Sequence, residues 1–201
     1  MSSWSGLASI ASAPLRPLAG TTAAATSATT TTSVPLSTLW SNGPVLIYGV
    51  RRPGCLLCRD NAASIWKREA DFKAAGVSLA AVVHQSLPAE TAAFAPEFWG
   101  GPLYLDEDKA LYRAFGDGQL RTSGLTGLLN LSVWRRILAA RKRLGDGGNT
   151  TGDSSILGGV LLVTGGDKGS PKVAYLDVER TFGEFKGVDS YLEAARKCVG
   201  K

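Results

Sequence analysis

The chain has 201 residues, 44% of them hydrophobic, and a formal net charge of +5. That length and composition suit one domain around one sizeable core, and no apolar run approaches the roughly 18 residues of a spanning helix. Three cysteines are too few for a secreted disulfide framework. Two of them stand as Cys-x-x-Cys, which suits a reducing compartment and a redox or metal role.

Residues 1–33 are dominated by Ser, Thr and Ala, with Arg16 their only charge. Such a segment buries too little apolar surface to offset its ordering entropy, so disorder is expected there. The absence of acid also suits a plastid transit peptide, which makes chloroplast one expected location and cytoplasm the other. An untargeted low-complexity tail fits the same composition. The folded domain is expected over residues 34–201.

From Pro35 the texture changes. Val45 to Val50 reads as a buried strand, bounded by Asn42-Gly43-Pro44 before it and Arg51-Arg52-Pro53-Gly54 after it. A helix is predicted from Leu56 to Ala75, stopped by Gly76, and Val77 to Val83 is again strand-like. This β-α-β unit places its two strands parallel in one sheet. Next come a helix over Glu90–Phe98, a short strand over Leu103–Asp106 and a helix over Glu107–Phe115.

A Gly-rich insertion follows, holding an amphipathic helix over Thr126–Leu144. Leu131, Trp134, Ile137 and Leu138 share one face of it, expected to cover the core or the active-site mouth. Its arginines and lysines read as a solvated face; contact with an acidic partner or a membrane surface is the other reading. No aromatic-basic motif accompanies them, so no nucleic-acid partner is expected. Asp146 to Gly152 reads as a flexible loop. Strands over Ile156–Thr164 and Lys172–Val178 form a hairpin across Gly165–Gly169, and a helix over Val188–Val199 closes the chain. The predicted class is α/β, a thioredoxin-like fold. Helices flank a central mixed sheet, and a helical insertion precedes the C-terminal hairpin.

Cys55 and Cys58 sit where the first strand gives way to a helix. The thiolate is the reactive form, and unpaired N–H groups at a helix N-terminus favour negative charge. Arg51, Arg52 and Arg59 flank the pair and favour the thiolate further. Cys55 is expected to be the more exposed sulfur and the nucleophile. Cys58, almost one turn on, is placed to close a disulfide. Other readings remain open. A zinc site needs four ligands and has only Cys198 and the single His84 to add, and two inert cysteines at a packed turn fit as well. No metal ligand set is expected. Gly145, Gly147 and Gly148 form no dinucleotide fingerprint, so no bound cofactor is expected. His84 reads as an ordinary residue at a strand end.

The stretch Val50-Arg51-Arg52-Pro53-Gly54-Cys55-Leu56-Leu57-Cys58-Arg59 resembles the signature of the peroxiredoxin-like 2 family, a branch of the thioredoxin-fold AhpC/TSA group. Leu103–Glu107 and Ile156–Val160 support the resemblance, which runs from about Pro35 to the C-terminus. The family includes antioxidant redox regulators and a prostamide/prostaglandin F synthase. The resemblance therefore implies an oxidoreductase that reduces peroxides or endoperoxides through its cysteine pair. An external reductant would be a dithiol such as thioredoxin, or a glutathione or NADPH system. True peroxiredoxins carry Pro-x-x-x-Thr/Ser-x-x-Cys, whereas Tyr48 and Arg52 stand at those positions here. Arg52 is thus the candidate donor to the peroxide beside Cys55 and Cys58. The usual arginine before the late strand is replaced by Asp153-Ser154-Ser155, and no proline occurs between Pro102 and Pro171 to face the pair. Slow or substrate-selective turnover is expected. A redox-responsive switch without efficient turnover is the alternative.

Overall fold

The computed structural model describes residues 6–18, 32–124, 130–165 and 171–199. Its centre is strand β3 (Val45–Val50), every residue of which is buried. A strand covered on both faces must be apolar throughout rather than alternating, and Val-Leu-Ile-Tyr-Gly-Val meets that condition. Alternate side chains serve separate cores: Leu46, Tyr48 and Val50 on one face, Val45 and Ile47 on the other.

Strand β3 pairs in parallel with β4 (Ser78–Val83) and antiparallel with β6 (Gly159–Val163). On one flank β5 (Leu103–Leu105) runs parallel to β4, and on the other β7 (Val173–Val178) runs antiparallel to β6. Beyond β5 lie β1 (Pro14–Pro17) and β2 (Val34–Pro35), giving the order β2-β1-β5-β4-β3-β6-β7. This is the expected mixed sheet flanked by helices, with an insertion before the C-terminal hairpin. The Gly165–Gly169 turn itself falls largely outside the described residues.

One face is covered by α2 (Leu56–Trp66), α3 (Glu69–Ala74), α4 (Pro88–Phe94), α6 (Leu131–Leu144) and α7 (Val188–Val199). The other carries α1 (Gly6–Ile10), a 310 turn at Leu36–Trp40 and α5 (Ala110–Ala114). The predicted helices are recovered, α7 with the bounds expected and α4 beginning two residues earlier and ending four earlier than expected. The one predicted over 56–75 breaks at Arg68, whose side chain binds Asp71 and reaches Asp189 of α7 at 3.0 Å. Helix α5 starts later than expected because the Asp106 carboxylate caps it, accepting from the N–H groups of Ala110 and Leu111 at 3.0 and 2.9 Å.

Residues 6–18 differ from the disorder expected of them. Leu7, Ile10 and Leu15 are buried in the second core, and β1 pairs with β5 through Arg16 and Pro17. A few well-spaced apolar residues finding a sheet edge outweigh low overall hydrophobicity. The remainder of the predicted tail, 1–5 and 19–31, lies outside the described residues.

Helix α6 is turned relative to expectation. Val133 and Ala140 are buried, with Ile137 and Leu144 packed partly against the core, whereas Leu131, Trp134 and Leu138 face outward. Of the four residues predicted to form the inner face, only Ile137 points in. The helix carries two apolar stripes, and the inner one includes a small residue, Ala140, that a search for large hydrophobics passes over.

Candidate active site

The site forms where β3 ends. Its last residue, Val50, leads into the Arg51–Gly54 turn, and Cys55 takes the N-cap position of α2 in extended conformation. The turn closes with the Cys55 N–H on the Arg52 carbonyl at 3.1 Å, and the Cys55 carbonyl accepts from the Arg59 N–H at 2.9 Å. Cys58 lies in the first turn of α2, deeper in the core. Both cysteines are buried and free, but only Cys55 lines the adjoining cavity.

Arg51 holds the sulfur. Its Nη2 donates to Cys55 Sγ at 2.9 Å and its Nη1 to the Ser154 carbonyl at 3.4 Å. Its Nε lies 3.6 Å from Glu179 Oε1, and the guanidinium covers the Phe182 ring at 4.5 Å. Glu179 is fully buried just beyond β7, and it also accepts from the N–H groups of Gly158 and Gly183 at 2.9 and 2.6 Å. Burial pushes its carboxyl up, opposed by Arg51 and the two N–H donors. The Arg51 carbonyl accepts from His84 Nε2 at 2.8 Å. Facing a carbonyl, Nε2 is the nitrogen that carries a proton, and burial lowers the pKa of His84, which disfavours the charged imidazolium. His84 therefore braces the turn from beneath, a structural part beyond the ordinary strand-end residue expected.

This arrangement separates the two thiols. Cys55 is held well below the ordinary thiol range, first by the hydrogen bond it shares with the Cys58 side chain; burial opposes this and the Arg51 charge assists it. Cys58 is pushed well above that range by the same hydrogen bond and by burial. The arrangement thus biases the pair in opposite directions, Cys55 towards the thiolate and Cys58 towards the thiol. Tyr48, at a position where peroxiredoxins were expected to differ, lies under the helix and donates to the Cys58 carbonyl at 3.3 Å.

Arg52 does something else. Its Nη2 and Nη1 donate to the carbonyls of Asn149 and Thr151 at 2.8 and 3.1 Å. Arg59 donates to the carbonyls of Pro53, at 2.8 Å, and Gly147, and meets Glu90 at 3.3 Å. Asn149 Nδ2 also reaches Glu90, at 2.7 Å, and the Asn149 N–H donates to the Gly54 carbonyl at 2.8 Å. The segment 146–152, read from sequence as a flexible loop, is thus strapped onto the cysteine turn. A Cβ on Gly54 would collide with the Asn149 side-chain oxygen. A larger residue there would require the ends of the Asn149 and Glu90 side chains to move.

Arg51, Arg52, Cys55, Phe182, Val133 and Ile137 are among the walls of a cavity of about 480 Å³. Sequence reasoning noted Arg51 only as a flanking charge and missed Glu179. Nothing in the local pattern of Val173–Glu179 marks that carboxylate, because its role depends on the antiparallel pairing that brings it beside Arg51. Cys198 lies on α7 against the core, with its thiol pushed up by burial, and does not line the cavity. Among the described residues, no group of three or more His, Cys, Asp or Glu side chains comes together as a metal site would need.

The AhpC/TSA antioxidant enzyme family matches the chain over residues 64–179. Peroxiredoxin-like 2A of Danio rerio is 36% identical over 167 residues, covering 83% of this chain and 74% of its own. The chain belongs to the peroxiredoxin-like 2 family. The family's bovine member, also a peroxiredoxin-like 2A, is 36% identical over 159 residues, or 79% of this chain and 69% of its own. Among solved structures, the bacterioferritin comigratory protein of Xanthomonas campestris superposes with a TM-score of 0.59 at 17% identity, covering 94% of each chain. A cysteine-to-serine variant of peroxiredoxin Q from Xylella fastidiosa gives 0.59 at 13% identity over 94% of this chain and 91% of its own. At such identities these structures show the fold, which is the thioredoxin-like one of peroxiredoxins. The AhpC/TSA match begins downstream of Cys55 and Cys58, so membership alone does not speak for the pair. This peroxiredoxin-like chain is accordingly an antioxidant-enzyme relative whose site chemistry rests on the geometry of its own residues.

Proposed function

We propose that the protein is a thiol peroxidase in which Cys55 is the nucleophile and Cys58 the resolving residue. The observation that carries this reading is the Arg51–Cys55 contact of 2.9 Å at a helix N-terminus opening into a cavity. The Cys55 thiolate attacks one oxygen of a hydroperoxide O–O bond. The other oxygen leaves as alkoxide, takes a proton and departs as alcohol, and Cys55 becomes a sulfenic acid. The Cys58 thiolate then attacks the Cys55 sulfur, forming the disulfide and expelling hydroxide, which leaves as water with the Cys58 proton. An external dithiol, or a glutathione or NADPH-linked system, restores both thiols.

Arg51 stabilises both the thiolate and the charge developing on the departing oxygen. Hydrogen peroxide needs far less room than about 480 Å³. Together with the apolar walls given by Val133, Ile137 and Phe182, that volume favours organic hydroperoxides or endoperoxides. The test is turnover of cumene hydroperoxide and hydrogen peroxide with a dithiol reductant. Cys55→Ser should abolish it and the organic substrate should be preferred; full activity in Cys55→Ser would overturn the proposal.

A second reading uses the same disulfide as a switch. The Asn149 N–H bond to the Gly54 carbonyl, 2.8 Å long, couples the 146–152 segment to the turn that must adjust when Cys55 is oxidised. A single oxidation event with changed exchange protection in that segment, and no sustained turnover, would favour the switch.

A further inference from the structure

Helix α6 spans 14 residues, about 21 Å at its normal rise. Its inner stripe of Val133, Ile137, Ala140 and Leu144 packs on the body of the protein. The outer stripe exposes Leu131 by 66%, Trp134 by 49% and Leu138 by 62%. At the helical turn angle these three fall within about 60° of arc. Arg141 borders that arc on the side of the Cys55 cavity, which it lines together with Ile137. Arg135 and Lys142 border the opposite side. The helix contains no acidic residue.

The far-side cations are held by the fold. Arg136 donates to Thr181 Oγ1 at 3.1 Å and to the Phe182 carbonyl at 3.2 Å, and Arg143 binds Asp60 at 2.7 and 2.5 Å. Arg141 meets Asp146 at 3.0 Å, but both side chains are mostly exposed, and such a pair yields readily to another anion.

We infer that the outer face of α6 is a docking surface for an anionic lipid bilayer. Leu131, Trp134 and Leu138 would enter the boundary between headgroups and acyl chains, with Arg135, Arg141 and Lys142 against lipid phosphates. A convex apolar stripe bearing tryptophan and edged by cations is the form of an interfacial helix. A second copy of this chain fits poorly. Two-fold pairing would oppose like charges, and three exposed apolar side chains on one helix fall well short of the roughly 800 Å² per partner of a stable interface. Docking would turn the cavity mouth toward the bilayer and bring acyl-chain hydroperoxides to Cys55. That consequence rests on the peroxidase reading; the binding itself does not.

The test is co-sedimentation of the full reduced chain with vesicles of phosphatidylcholine alone or mixed with phosphatidylglycerol. Binding to the anionic vesicles should be on the order of 100-fold stronger, three cations each contributing several-fold, and should fall in high salt. Trp134→Glu with Leu138→Glu, and separately Arg135→Gln with Lys142→Gln, should each weaken it at least about 10-fold, with Cys55 alkylation unchanged. Absent binding by the wild type overturns the inference, as do variants that bind like it. A dimer in solution that the Trp134→Glu, Leu138→Glu variant dissociates overturns it too, by assigning the face to a second copy.

Discussion

Arg51 Nη2 lies 2.9 Å from Cys55 Sγ, and this one contact joins the end of the central strand to the start of the reactive helix. Arg51→Met removes a charge-assisted hydrogen bond to the thiolate. Such bonds contribute about 1.5–3 kcal/mol, so alkylation of Cys55 at neutral pH should slow roughly 10- to 100-fold. The sign in pH follows from the lowered thiol of Cys55. The wild type should react well below the ordinary thiol pKa, and the variant's pH–rate profile should move to higher pH.

Arg52→Met should behave differently. Its guanidinium holds the Asn149 and Thr151 carbonyls rather than the sulfur, so Cys55 alkylation should change by less than the Arg51 variant's about 10-fold minimum. Amide exchange across residues 147–152 should accelerate, as expected when a strap is released. Equal losses of reactivity in the two variants would contradict this division of labour.

Glu179 anchors Arg51 from within the core. Glu179→Gln removes the buried carboxylate 3.6 Å from Arg51 Nε and leaves the Cys55 sulfur as the nearest counter-charge of the guanidinium. The loss should therefore be at most about 3–5 kcal/mol, that of a broken buried pair. Chemical denaturation should show a loss approaching that scale. A stability near that of the wild type would mean that the carboxylate is not ionised in the native state.

Gly158→Ala tests the close approach of the residue before β6 to Gly49 of β3. An added Cβ would collide with the Gly49 carbonyl oxygen, backbone that cannot swing aside. Overpacking of this kind typically costs about 1–3 kcal/mol, so the melting temperature should drop. Cys198→Ser, by contrast, should leave the pattern of thiol oxidation unchanged, because that residue lies outside the cavity.

Much of the architecture was legible because local pattern and tertiary role coincide. Val45–Val50 is a continuous apolar run, and it is the doubly covered strand. The Cys-x-x-Cys spacing after it placed both sulfurs correctly at a helix start. What escaped sequence reading depends on distant pairing. Glu179 meets Arg51 only because β7 lies next to β6 and β6 next to β3. The choice between Arg51 and Arg52 was equally hidden, since adjacent residues leave a turn in opposite directions. The outward face of α6 was misassigned because two apolar stripes share one helix, and amphipathic periodicity alone does not say which stripe the sheet will take.

The measurement that bears most directly on the central claim is thiol mapping by mass spectrometry. Wild type and Cys58→Ser would be treated with one equivalent of cumene hydroperoxide. A Cys55–Cys58 disulfide is expected in the wild type, and a sulfenic acid confined to Cys55 in the variant. Oxidation at Cys58 or Cys198 while Cys55 stays reduced, or three thiols left intact by hydroperoxide, would contradict it.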